Sequence, residues 1–289
     1  MMEKKNNYKL GTRLLVLLCL MGVGLIAASV ISSMLTSYGL LTMLTIQDVL
    51  AFIAPAVVAM AIIYRRPLQA MCLDRAPSWR AIGVVVIFYV ISMPAMNWLV
   101  AMNEAMTLPS WMSGLESAMR ALEDSAAEAT ENLLNINSVG ELVSCLLVVG
   151  LMAGLSEEML FRGAMQRIMQ DSRLGNDAVV WLTAILFSAL HLQFFGFVPR
   201  MLLGVWLGYL LVWTRSLWVP IIAHTLNNSS VVLFSYLANK GVVPKGFGDN
   251  LGVAADGTFS SLAFVSLVAS LAIAVWANRF LPPEKDQNR

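Results

Sequence analysis

The sequence predicts an all-α, polytopic membrane protein with about eight transmembrane helices around an intramembrane cavity. Three observations carry that expectation. Of 289 residues, 58% are hydrophobic and only 13% are charged. A soluble domain carries about 25% charged residues, so this chain has too few polar side chains to cover a water-facing surface. Apolar stretches close to the ~20 residues that cross a bilayer recur along the chain. Lys and Arg concentrate in alternate loops, as they do on the cytosolic side of membrane proteins.

The expected spans, in order, are Leu14–Met34, Val49–Tyr64, Ala81–Met102, Leu142–Met165, Ala178–Phe195, Val198–Trp213, Leu217–Leu237 and Leu262–Leu281. The first follows a basic stretch (Lys4, Lys5, Lys9, Arg13). Its apolar run exceeds the ~7–15 residues of a signal-peptide core, so a retained anchor is expected. The fourth is expected to continue as helix toward Gln170. With the N-terminus inside and eight spans, inner segments hold 14 Lys and Arg and outer ones only Arg120, Arg200, Lys240 and Lys245. Both termini are therefore expected in the cytosol, in a multi-pass protein of the cell membrane. The outer segment Asn103–Asn137 is acidic, with Leu115, Met119 and Leu122 at helical spacing, and reads as an amphipathic helix and loop. Residues 282–289 read as a polar, disordered tail.

The expected organisation is one membrane domain in three parts: a three-span region with its outer loop (1–137), a core (138–240), and a last span with its tail (241–289). A net charge of +1 argues against nucleic acid as a partner. Cys19, Cys72 and Cys145 form no metal or redox spacing and read as small hydrophobes. Gln47-Asp48 reads as an interfacial N-cap and first-turn anion opening the second span. Gly204 and Gly208 form a Gly-x-x-x-Gly that favours close helix packing, within the chain or across a dimer. No internal repeat supports a repeat-built transporter.

Ionisable residues inside apolar helices are functional candidates, because each costs a few kcal/mol or more at membrane depth. The fourth span contains Leu155-Ser156-Glu157-Glu158-Met159-Leu160-Phe161-Arg162. Glu158 and Arg162 are i and i+4 and can pair on one face. Glu157 points about 100° away, toward a possible cavity, without a local partner. The sequence has only two histidines, His191 in the fifth span and His224 in the seventh. Asn228 is i+4 from His224 and shares its face, whereas Asn227 is rotated away. Counting 1.5 Å per residue from the inner ends, Glu157 and His191 lie roughly 20 Å up their helices, His224 roughly 12 Å and Asn228 roughly 18 Å. All four fall near the middle of a bilayer. A structural reading competes: an ion pair with a second carboxylate, and two packed histidines.

A carboxylate and two imidazoles in a dry cavity can hydrolyse an amide. Glu157 is placed to act as general base on water, with His191 orienting that water or sharing its proton. His224 and Asn228 are placed to donate to the oxyanion. Ser156 and Ser188 adjoin the motifs, but neither is i+3 or i+4 to a histidine, so attack by water is preferred over an acyl-enzyme. Glu157, His191 and His224 also suit zinc, with water as fourth ligand. The histidines are 33 residues apart and no His-Glu-x-x-His exists, so spacing leaves metal and metal-free chemistry both open.

Three motifs in order, Glu157-Glu158-x-x-x-Arg162, Phe187-x-x-x-His191 and His224-x-x-x-Asn228, resemble those of the CAAX protease and bacteriocin-processing (CPBP, or Abi) family, whose branches include the type II CAAX prenyl endopeptidases. The resemblance covers roughly Leu142–Ala238. It implies an eight-helix intramembrane protease with a conical cavity, water activated by Glu157 and His191, and an oxyanion held by His224 and Asn228. Glu158, Arg162 and Phe187 are supporting residues in that reading. The family is catalogued as metalloprotease and also argued to be metal-free, so zinc stays open as cofactor. Short loops suggest a bacterial member acting on a peptide or membrane protein that is not prenylated. A proton-coupled transporter and a non-catalytic scaffold are the alternatives.

Overall fold

The computed structural model describes residues 3–5, 8–35, 38–254 and 259–281. The polar tail, 282–289, lies outside them. Among the described residues the architecture is all-α, and six helices are long and apolar enough to cross a membrane. They are α1 (Leu10–Met34), α2 (Leu40–Ile63), α3 (Trp79–Glu104), α5 (Val139–Gln170), α7 (Phe197–Thr214, with the preceding turn from Phe194) and α9 (Ser261–Phe280). The chain is a multi-pass membrane protein. Between these lie α4 (Ser113–Leu134), α6 (Asn176–Ala189) and α8 (Trp218–Asn239).

Two of the eight expected spans fall outside that set. The fifth is α6, 14 residues long and so about 21 Å, short of a hydrocarbon core of about 30 Å. The seventh, α8, has 22 residues. Its polar run His224, Asn227, Asn228, Ser229 and Ser230 lowers its hydropathy. The expected fifth span, Ala178–Phe195, overruns the helix because the apolar sequence continues through a turn. The helix stops at Ala189, and Leu192 takes a left-handed φ of +55°. The chain then re-enters helix at Phe197, with Pro199 in the first turn, where its missing N–H costs nothing.

Helix boundaries follow local chemistry. Ser138 and Glu141 form a capping box at the start of α5. Ser78 and Ser260 accept from Ala81 N and Ala263 N to open α3 and α9. Inside α3, Pro94 interrupts the ladder. Ser266 of α9 enters the break, accepting from Ala95 N at 3.1 Å and donating to Ile91 O. In lipid no water can serve those groups, so a neighbouring serine does.

Apolar side chains of α1 such as Val23 and Ile26 are 65% and 68% exposed, the pattern of a surface that meets acyl chains. The α4 helix forms within Asn103–Asn137, with Leu115 and Leu122 exposed and Glu116 paired with Arg120 at 2.9 Å. One buried cluster joins α1, α2 and α5 through Leu17, Met60, Ile63, Phe161 and Ile168. A second joins α3, α7, α8 and α9 through Val85, Leu207, Val219 and Ala277.

Glycines bring the helices around the site together. A Cβ on Gly154 would lie 2.9 Å from Thr225 Oγ1 and 3.0 Å from Thr225 N, so α5 can approach α8 only with glycine there. Gly204 and Gly208 serve α7 in the same way. Cβ atoms there would lie 3.1 Å from Ala184 Cβ and 2.9 Å from Val180 Cγ1, which shows the motif packing inward on α6.

Candidate active site

Helix α5 carries Glu157 and Glu158 between two π-helical stretches, Leu146–Met152 and Met159–Gln166. Such widened turns shift the helical register and free backbone carbonyls, and they recur at functional sites. Glu158 and Arg162 are fully buried and pair at 2.6 Å. Arg162 also donates to Gly204 O at 3.0 Å and lies 4.5 Å over the Phe187 ring. One turn on, Gln166 Nε2 donates to Gly208 O at 3.1 Å. The bare carbonyls of the α7 glycines thus receive the polar side of α5, and α6 contributes the Phe187 ring.

His224 is buried on α8 and bridges the two carboxylates. Its Nδ1 is 2.9 Å from Glu158 Oε1 and its Nε2 is 3.8 Å from Glu157 Oε2. The Glu157 side chain keeps 20% exposure, and its buried Oε2 has no hydrogen-bond partner. His191 lies beyond the end of α6, in the turn closed by Leu192, and not in mid-helix as the sequence implied. Its Nδ1 is 2.8 Å from Phe187 O. A carbonyl only accepts, so Nδ1 carries the proton and the neutral ring leaves Nε2 as an acceptor. Both imidazoles stand edge-on to Phe187, with centroids at 5.0 Å for His191 and 6.0 Å for His224. His191 also interacts electrostatically with Glu157 and His224.

Asn228 Nδ2 donates to Val149 O at 3.2 Å, a carbonyl in the first π-helical stretch. An amide nitrogen has two N–H groups, so one remains for a ligand. Its Oδ1 accepts from Asn227 at 3.2 Å. Phe187, Glu158, Arg162, His224 and Glu157 therefore form one contiguous cluster. Asn228 is a turn further along α8, and His191 adjoins through Phe187.

Among the described residues no group of three or more His, Cys, Asp or Glu side chains could hold a metal ion. His224 Nδ1 is engaged by Glu158 and His191 Nδ1 by Phe187 O, which leaves Nε2 of each ring available.

A cavity of about 1920 Å³ lies between α3, α4, α7, α8 and α9. Tyr89, Gln193, Arg200, Asn227 and Ser230 are on its wall. Glu157, His191, His224 and Asn228 are not; Asn227, bonded to Asn228, links them to it.

Three residues escaped the sequence reading. Asp48 is no interfacial cap. It begins a π-helical stretch inside α2, is 8% exposed, and accepts from Ser156 Oγ at 2.8 Å, next to Glu157. Ser156 Oγ thus ties α5 to α2 beside Glu157. Its sole signal was a lone acid close to an apolar run. Asn227 lines the cavity, although its neighbour held the motif position. Arg200 was counted as an outer-loop charge, but lies half-buried in the first turn of α7.

Residues 139–230 match the family model of the type II CAAX prenyl endopeptidase Rce1-like proteins. No curated protein and no solved structure matches the chain significantly. The matched stretch holds all three motifs, with α5, α6 and α7 whole and α8 as far as Ser230. Over residues 139–230 the chain therefore carries a domain of the type II CAAX prenyl endopeptidase Rce1-like (CPBP) family.

Proposed function

We propose that this protein is an intramembrane endopeptidase that hydrolyses a peptide bond with water activated at Glu157 and His191. The observation that carries the reading is Glu157 Oε2, a buried carboxylate oxygen with no hydrogen-bond partner, 3.8 Å from His224 Nε2. Glu157 takes a proton from water, and His191 Nε2 orients that water as an acceptor. The hydroxide adds to the amide carbonyl. The oxyanion accepts from His224 Nε2–H and from the second N–H of Asn228. With Nδ1 donating to Glu158, a donor at Nε2 requires the doubly protonated ring. That cation and Arg162 then balance the two carboxylates. Collapse breaks the C–N bond, and the proton held by Glu157 passes to the leaving amine. Glu158, Arg162 and Phe187 position His224 and take no proton.

The core 138–240 is the catalytic part of one membrane domain. Eight helices cross or enter the bilayer, α6 and α8 included, with both termini cytosolic, as the loop charges favour. The substrate is a peptide or membrane-protein segment without a prenyl group. In proteoliposomes, the protein is expected to cleave hydrophobic peptides from a fluorogenic library, and farnesylated versions no better. Glu157→Gln and His191→Ala should each lower kcat by at least ~100-fold, the scale of general acid–base catalysis, with Tm unchanged. Parent-like cleavage by both variants would end the reading.

A further inference from the structure

Arg200 makes no ion pair among the described residues, although Glu123 and Glu157 act on it electrostatically. Its Nη2 donates to neutral Gln193 Oε1 at 2.6 Å, while Nη1 is buried with no hydrogen bond. Among the described residues no carboxylate lies within ion-pairing distance of it. Glu123, on the same wall, uses Oε2 to accept from Phe195 N at 3.0 Å. The position is also unfavourable in itself, since a cation in the first turn of α7 opposes the helix dipole. Buried charges are ordinarily paired, and an unsatisfied one requires an explanation.

Its surroundings supply one. Arg200 is on the wall of the 1920 Å³ cavity, which exceeds the ~300–1,000 Å³ of small-molecule pockets and has room for a peptide segment. It also interacts electrostatically with Glu123 and with Glu157. A guanidinium fork matches a carboxylate in two parallel hydrogen bonds. Glu104, Glu123, Glu131 and Asp249 line the same cavity and repel a substrate rich in acids. A single carboxylate on an otherwise apolar or basic segment fits.

We infer that Arg200 binds one carboxylate of the peptide substrate at the cavity wall. The inference rests on the peptidase reading for its consequence and on Arg200 alone for the binding. A chain-terminal carboxylate and an acidic side chain share this chemistry. The test separates them, and also separates binding from cleavage.

The full-length protein carrying Glu157→Gln is titrated in micelles with three fluorescent hydrophobic hexapeptides: a free C-terminal acid, its C-terminal amide, and the amide with one internal Glu. A carboxylate preference of at least ~10-fold over the plain amide, about 1.4 kcal/mol, is expected. Tighter binding of the free acid identifies the chain terminus; tighter binding of the Glu peptide identifies a side chain. Adding Arg200→Gln should abolish the preference, and Arg200→Lys should restore part of it, since a point charge replaces the fork. In the parent enzyme, Arg200→Gln should raise KM for the preferred peptide far more than it lowers kcat. Equal binding of all three peptides, or a preference that survives Arg200→Gln, overturns the assignment. Preferential binding without cleavage by the parent would overturn the peptidase reading and leave Arg200 in place.

Discussion

Replacing Arg162 by Met removes a fully buried charge from the helix assembly while keeping much of its volume. Three contacts go with it: the 2.6 Å pair with Glu158, the 3.0 Å hydrogen bond to Gly204 O, and the face of Phe187 at 4.5 Å. The largest effect is what stays behind. Glu158 is fully buried and keeps only His224 as a polar partner. Breaking a buried pair from one side costs about 3–5 kcal/mol. The hydrogen bond would add about 1 kcal/mol if the effects were separable, which they are not for groups in contact. The expected loss is therefore about 3–5 kcal/mol, read from denaturant unfolding in detergent micelles. Glu158→Leu combined with Arg162→Met leaves no buried charge and should be less damaging than Arg162→Met alone. A loss below ~1 kcal/mol for Arg162→Met, or strict additivity in the double variant, would refute the claim that this pair holds α5, α6, α7 and α8 in register.

Other perturbations test other joints. Ser266→Ala leaves Ala95 N and Ile91 O facing each other across the Pro94 break, and should cost about 1–3 kcal/mol in the same unfolding measurement. Gly154→Leu puts a side chain where a Cβ is already 3.0 Å from Thr225 N. About 1–3 kcal/mol of stability should go, and peptide cleavage should fall more than stability, because Glu157 and His224 move apart. Asp48→Leu takes the carboxylate acceptor from Ser156 Oγ and leaves it Ala153 O at 3.1 Å; it should lower kcat several-fold with Tm reduced by only a few degrees. Asp48→Asn, which keeps an acceptor, should recover most of that loss.

Much of the cluster was legible because lipid makes every interior charge conspicuous. Glu157, Glu158, Arg162, His191 and His224 could be singled out from apolar runs without any knowledge of packing, and i, i+4 spacing foretold which of them face each other on one helix. What stayed hidden has a common cause. In a continuously apolar run, periodicity carries no information about where a helix ends. The turn at Leu190–Gln193 therefore reads as helix from sequence, and His191 as a mid-helix residue. π-helical turns leave no compositional mark either, so the carbonyl of Val149 offered to Asn228 could not be foreseen. Asp48 and Arg200 misled in the opposite way. Each stands near the end of a hydrophobic run, where a charge is normally solvated, and only the packing of α2 on α5 and of α7 beside the cavity shows otherwise.

The most direct measurement of the central chemistry is mass spectrometry of peptide products formed in proteoliposomes in ¹⁸O-labelled water, with the parent and Glu157→Gln proteins side by side. Water attack directed by Glu157 predicts one ¹⁸O in each new C-terminal carboxylate from the parent under single-turnover conditions, and no product from Glu157→Gln. Equal product from the two proteins, or no cleavage of any peptide by the parent, would contradict it.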